Sequence, residues 1–151
     1  IHWPVIVLLG SMIPIGQALQ SSGGAETISN ILINISYGAT PVTILASMLI
    51  ITMLLSAVLN NVATVLVAAP ISVEIAKTLA VNPDTFLMAV AIGASCAFLT
   101  PIGHQNNTLV MGPGGYRFGD YWKLGLPLEI LIVVVSIPTL LYFWPLNSLP
   151  I

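Results

Sequence analysis

Apolar residues run along this chain in long blocks separated by short polar or Pro/Gly-bearing interruptions, and block length decides what each can be. Residues 3–19 form the first block, interrupted by Gly10 and by Pro14-Ile15-Gly16. About 20 apolar residues suffice to cross a hydrocarbon core, so this block predicts a spanning helix, kinked where proline removes a backbone donor. Over residues 25–35, Ile28, Ile31, Leu32 and Ile35 recur at helical spacing against Glu26, Ser29, Asn30 and Asn34. That segment is too short to span, and it predicts an amphipathic helix lying along the membrane interface.

Thr40-Pro41 supplies a cap and a first-turn proline for the next block, which continues to Leu59. It meets Asn60-Asn61 and resumes over residues 62–75. Two full crossings would meet in water, at a turn marked by charge, Gly or Pro. Here the turn is two uncharged amides flanked by Val58-Leu59 and Val62-Ala63. A re-entrant helical hairpin is the more economical expectation, its tip buried in protein or lining a cavity, where irregular backbone is tolerated.

Residues 77–84 make a polar connection with Asn82-Pro83-Asp84 as a turn. A further helix is predicted over residues 86–99, stopping at the polar string from Thr100 through Thr108 before Leu109-Val110-Met111. A break after so few apolar residues predicts a discontinuous helix whose freed backbone groups can serve an ion or substrate. The stretch Tyr116-Arg117-Phe118-Gly119-Asp120-Tyr121-Trp122-Lys123 has the aromatics and cations of a membrane-surface loop. Residues 124–144, with Pro127, Pro138 and a terminal Trp144, predict the final spanning helix. The positive-inside bias puts Arg117 and Lys123 in the cytoplasm, the hairpin opening outward and Ile1 inside; Lys77 weighs against that scheme.

Composition fixes the solvent. Hydrophobic residues are 57% of the 151 and charged residues 5%, against about 25% charged in soluble domains. Three cationic and five anionic side chains cannot cover a water-facing surface. The net charge of −2 and the lack of a basic run exclude nucleic acid as a partner. Cys96 is the single cysteine and is expected to be a small packing residue, with no disulfide or paired-cysteine metal site. The opening Ile1-His2-Trp3-Pro4 is expected to be internal to a longer polypeptide, and no catalytic triad, metal cluster or phosphate loop can be assembled; an enzyme is not expected.

Candidate chemistry lies in two uncharged polar clusters at membrane depth: Asn60, Asn61 and Thr64 at the hairpin tip, and Gly103, His104, Asn106 and Asn107 in the break. Unsatisfied amides in an apolar medium cost several kcal/mol, so they need partners or a wet cavity. One isolated asparagine is most simply glue between helices. A polar tip and a polar break together point instead to an ion path: a hard cation such as sodium takes amide and carbonyl oxygens, and helix N-termini favour an anion. His104 is expected to be a neutral, hydrogen-bonded side chain, with a proton or anion role as the alternative.

The order of these parts resembles the C-terminal part of the divalent anion:sodium symporter family, within a wider superfamily that includes citrate and arsenite permeases. The residues carrying the resemblance are Trp3-Pro4, Leu59-Asn60-Asn61-Val62-Ala63-Thr64, Thr100-Pro101-Ile102-Gly103-His104-Gln105-Asn106-Asn107, and Met111-Gly112-Pro113-Gly114-Gly115-Tyr116-Arg117-Phe118. It implies two inverted repeats, an elevator motion, a tip formed by Asn60, Asn61, Val62 and Thr64, and an unwound stretch with Gly103, His104 and Asn107. Dicarboxylate members carry Ser-Asn-Thr at the tip, where this chain has Asn60-Asn61-Val62, so two hydroxyls that would help hold a carboxylate are replaced.

The expectation is therefore an all-α integral membrane fold: kinked spanning helix, interfacial helix, re-entrant hairpin, discontinuous helix and final spanning helix. Residues 1–151 would be the C-terminal part of a multi-pass permease of the plasma or bacterial inner membrane. Its function would be sodium-coupled uptake of a small anion, sulfate or carboxylate, with Asn61 and Asn107 as candidate sodium ligands. The expected partners are that anion, the bilayer, the missing N-terminal half and, among assemblies, a homodimer. The alternatives are a proton-coupled antiporter or metalloid permease, which needs an intramembrane carboxylate and for which Glu74, near the predicted hairpin exit, is the candidate, and a non-transporting membrane subunit or anchor.

Overall fold

The computed structural model describes residues 14, 18, 21–35, 38 and 40–147. The predicted first spanning helix, residues 3–19, lies outside the described residues apart from Pro14 and Ala18. Among the described residues the regular structure is helical: α1 (Gly24–Ile35), α2 (Pro41–Ser56), α3 (Asn61–Thr78), α4 (Pro83–Ser95), α5 (Gln105–Met111) and α6 (Phe118–Phe143). Two of these, Asn61–Thr78 and Phe118–Phe143, are long and apolar enough to cross a membrane. At 1.5 Å per residue α6 runs about 39 Å and α3 about 27 Å, whereas α2 and α4 reach only about 24 and 20 Å.

Each start has a local cause. The Thr40 hydroxyl accepts from the Thr43 amide, with Pro41 in the first turn of α2. The Asn60 side chain accepts from the Ala63 amide at 2.8 Å to begin α3, and the Asn82 side chain accepts from the Asp84 amide at 3.0 Å to begin α4. α6 starts at Phe118, earlier than the predicted Leu124, because the Asp120 carboxylate reaches back to the Arg117 amide at 2.9 Å. The second half of the predicted surface loop is therefore the first turns of the last helix. α3 likewise runs to Thr78, past the predicted Ile75, and stops where Ala80 takes a φ of 52°, letting the Val81 amide bond back to Ala76.

α4 is the organising helix. Both α2 and α3 pack against it, α6 lies against α2 and α4, and α1 sits on α3. The core is formed by Leu45, Leu49 and Met53 of α2, Ile71 and Ile75 of α3, Phe86, Ala89 and Val90 of α4, and Leu140 of α6. Gly93 brings α4 close to α2, since a Cβ there would stand 2.9 Å from Thr52 Cβ. The C-terminal end of α6 is tied to the start of α4 by Thr85 Oγ1 donating to Trp144 O at 2.8 Å. The outward faces are also apolar: Ile50, Ile51 and Leu54 on α2, and Leu124, Ile130, Leu131, Val134 and Val135 on α6 are exposed. Helices apolar on both faces belong in lipid or against other apolar helices.

Between α4 and α5 the chain is non-helical over residues 96–104. The sequence pattern put this interruption at residues 100–108. It begins earlier, inside the apolar stretch Cys96-Ala97-Phe98, and Gln105 through Thr108 are already helical. Cys96 is buried, as expected of a packing residue.

Candidate functional site

The turn between α2 and α3 docks directly onto the non-helical segment. The Thr100 hydroxyl donates to the Ala57 carbonyl in the turn and accepts from the Gly103 amide. Gly103 itself is packed so tightly that an added Cβ would stand 2.6 Å from Ser56 O and 3.1 Å from Ala57 Cα. On the far side of the turn the Ser56 hydroxyl donates to Ala94 O at 2.6 Å, at the end of α4, and lies 3.3 Å from Asn61 Oδ1. The turn is thus held by protein groups of α4 and of the non-helical segment.

This docking brings both predicted clusters to one place. A cleft of about 760 Å³ is lined by Asn60, Asn61 and Val62 from the start of α3 and by Ile102, Gly103, His104, Gln105, Thr108 and Leu109 from the other segment. A smaller cavity of about 240 Å³ behind it is lined by Asn61, Ser95, Ala97, Phe98, His104, Asn106 and Asn107. Asn61 and His104 border both spaces.

The side chains divide into those that build the site and those that face it. Asn60 spends its side-chain oxygen on its own helix. His104 caps α5, its Nδ1 accepting from the Asn106 amide at 3.2 Å. Asn107 braces the segment: its Nδ2 donates to Ala97 O at 2.8 Å and Thr100 O at 3.2 Å, while its own carbonyl accepts from Tyr121 Oη at 2.6 Å. Thr108 Oγ1 donates to Pro101 O at 2.6 Å. Thr64 is different from the rest of its cluster: it is fully buried below the turn, with its hydroxyl on Asn60 O, and lines neither space. Asn106 is exposed and borders only the smaller cavity.

No carboxylate, lysine or arginine is among the described residues that border these two spaces. Among the described residues no group of His, Cys, Asp and Glu could hold a metal ion; the side-chain oxygens bordering the smaller cavity belong to Asn61, Ser95, Asn106 and Asn107. Such a set suits a hard cation and not a soft one. The amides in the first turn of α3 lack intrahelical acceptors by construction and bring partial positive charge to the larger cleft. One carboxylate escaped the sequence reading. Glu129, inside the last apolar run, is 7% exposed, and its Oε1 has no hydrogen-bond partner. Its signal was plain: a lone acidic residue in the middle of a spanning block.

Comparison with known sequences decides the family. The sequence model of the family described as Citrate transporter, CitMHS, matches residues 1–150. The chain belongs to this citrate transporter family. It is also 41% identical, over 95% of its length, to the uncharacterized transporter YfbS of Escherichia coli K12, of which it covers 24%. It is 29% identical over 90% of its length to sodium/sulfate cotransporter 1 of Chlamydomonas reinhardtii, covering 16% of that protein. It is 25% identical over 95% of its length to the sodium-dependent dicarboxylate transporter SdcS of Staphylococcus saprophyticus, covering 27%. The relatives agree with the divalent anion:sodium symporter resemblance. The family is one of membrane transporters, not enzymes, and the chain spans about a quarter of the E. coli relative.

Proposed function

We propose that this chain supplies one of two half-sites of a secondary transporter that couples sodium to uptake of a small anion, with sulfate as the first substrate to test. The observation that carries the reading is the meeting of the Asn60-Asn61 turn with the Gly103-His104 segment around one polar cleft. In this reading α2 and α3 are the arms of a re-entrant hairpin, and α4 and α5 the halves of a discontinuous helix. The shortness of α2 and α4, and a turn bonded to protein through Thr100, Gly103 and Ser56, support it.

The anion would occupy the larger cleft, near the first turn of α3, the Thr108 side of α5 and the His104 ring. Sodium would be cargo in the smaller cavity, held by the amide oxygens of Asn61 and Asn107 with carbonyls of the non-helical segment. The tip carries Asn60-Asn61-Val62 in place of the Ser-Asn-Thr of dicarboxylate members, which favours a small inorganic anion over a dicarboxylate. The sodium/sulfate cotransporter relatives support that choice of substrate. An elevator displacement of this half-site with its missing counterpart, in the plasma or bacterial inner membrane, completes the reading. The glue alternative has less support, because Asn60 bonds its own helix and faces the cleft, not a neighbouring helix.

The test is uptake of labelled sulfate into proteoliposomes by the complete transporter, with and without an inward sodium gradient, comparing native protein with Asn61→Ala. Gradient-dependent uptake that collapses in the variant supports the assignment. Folded protein indifferent to sodium removes the coupling ion from it, and uptake of other anions but not sulfate moves the substrate.

A further inference from the structure

We propose that Tyr121 of α6 is a positioning residue for the smaller cavity, its hydroxyl fixing the backbone from which the Asn107 side chain reaches the non-helical segment. Tyr121 stands in the aromatic, cation-bearing stretch that has the look of a membrane-surface anchor. An anchoring aromatic keeps its polar end among headgroups or water, and Tyr116 and Trp122 do remain 52% and 54% exposed. Tyr121 differs from both. It is half-buried, and its hydroxyl donates to the Asn107 carbonyl at 2.6 Å, 14 residues away in the chain. The Arg117–Asp120 cap sets where α6 begins, and the Tyr116 ring meets the Tyr121 ring edge-on with centroids 6.2 Å apart, so the phenol is oriented from its own side of the contact.

α5 needs such a tie. It is 7 residues long and has no buried side chain, so neither its own ladder nor packing holds it in place. Its position depends on bonds to its neighbours. Asn107 Nδ2 donates to Ala97 O and Thr100 O, and Thr108 Oγ1 donates to Pro101 O, all on the non-helical segment. Tyr121 adds a bond to a long helix. Asn107 is thereby held at both ends, by its carbonyl and by its amide nitrogen, which leaves Oδ1 as the side-chain atom it can offer to the cavity it borders with Asn61. One helical turn beyond Tyr121, α6 also presses on the segment, for a Cβ at Gly125 would stand 2.5 Å from Phe98 O. Residues four apart are neighbours on a helix, so one face of α6 meets α5 through Tyr121 and the segment through Gly125, and Asn107 spans the two. Phe98, Asn107, Tyr121 and Gly125 accordingly border one cavity of about 430 Å³. Without the phenol hydroxyl, α5 loses its tie to α6 and the Asn107 oxygen its fixed distance from Asn61.

The inference rests on the sodium-site reading for its transport consequence, so the experiment has two arms. The control is Thr85→Val, which loses a bond of the same kind, Thr85 Oγ1 to Trp144 O at 2.8 Å, at the other end of α6. In the complete transporter in nanodiscs, hydrogen–deuterium exchange is followed in a peptide covering residues 105–111. One neutral hydrogen bond corresponds to roughly threefold to tenfold in opening, so Tyr121→Phe should speed exchange there by that factor and Thr85→Val should leave it native. In uptake, Tyr121→Phe should raise the sodium half-saturation severalfold, with the maximal rate and the anion half-saturation at saturating sodium unchanged. Thr85→Val should keep the native sodium half-saturation. Native exchange in Tyr121→Phe overturns the tie. A native sodium half-saturation in Tyr121→Phe, or an equal rise in Thr85→Val, overturns the positioning role. Native uptake indifferent to sodium overturns the function reading instead, while the exchange result still decides whether Tyr121 holds α5.

Discussion

Replacing Gly103 with alanine should part the non-helical segment from the hairpin turn. Gly103 does not have a positive φ, so alanine suffers no backbone strain there, and any effect comes from space alone. The new methyl group would sit 2.6 Å from Ser56 O, 2.8 Å from Ala97 Cβ and 3.1 Å from Ala57 Cα. Comfortable contact lies near 3.5 Å, so the two backbones must separate by about 1 Å. None of the obstructing atoms is the far end of a flexible side chain, so no rotamer change relieves the clash. The separation stretches the Thr100 bond to Ala57 and the Gly103 bond to Thr100. Overpacking costs about 1 to 3 kcal/mol, and the weakened hydrogen bonds add about 1 kcal/mol each. A displacement of this size between groups that must act together lowers turnover by on the order of a hundredfold. The assay is thermal unfolding of the purified complete transporter together with initial uptake rates. Gly112→Ala is the control, because a Cβ there meets nothing within 4 Å. A Gly103→Ala protein as stable and active as the Gly112→Ala protein would refute the close docking of turn and segment.

Three further substitutions probe the α3 cap, the Asn107 brace and the end of α3. Asn60→Ala removes the cap of α3 and should cost about 1 kcal/mol in thermal unfolding, with Asn60→Ser recovering most of it; equal stability of all three would deny the capping role. Asn107→Asp replaces the amide donor facing Ala97 O and Thr100 O with an acceptor, and should destabilise by about 2 to 4 kcal/mol and abolish uptake; native stability would show that the brace is not made. Ala80→Gly relieves a φ of 52° and should raise the unfolding midpoint, by up to about 1 kcal/mol in stability, with transport unchanged; a lowered midpoint would contradict the C-terminal turn drawn for α3.

The elements most legible in the sequence were those marked by polar residues in apolar surroundings. Asn60-Asn61 announced the turn because two amides between Leu59 and Val62 have no reason to interrupt an apolar block unless something bonds them. The break was legible as a fact and misplaced as a position. It begins at Cys96-Ala97-Phe98, which carry no polar signal, because their backbone is held by a group further along the chain: Asn107 Nδ2 on Ala97 O. Hydropathy records side chains, and this unwinding is a matter of backbone partners. The start of α6 was hidden for a local reason, since the aromatic and charged residues after Tyr116 look like a surface loop although Arg117 and Asp120 stand at capping spacing. Thr64 belongs to the Asn60-Asn61 cluster in sequence but lies one helical turn further in, where its hydroxyl returns to Asn60 O.

In the proposed function the hairpin turn and the non-helical segment enclose one ion-and-anion site, completed by the rest of the transporter. The most direct measurement is a structure of the complete protein in lipid nanodiscs, solved with sodium sulfate and again with both ions exchanged away. Ion-dependent density is expected between Asn60-Asn61 and Gly103-His104, with a second feature beside Asn61 and Asn107. Density bound elsewhere, with this cleft filled by side chains of the N-terminal part in both states, would contradict it.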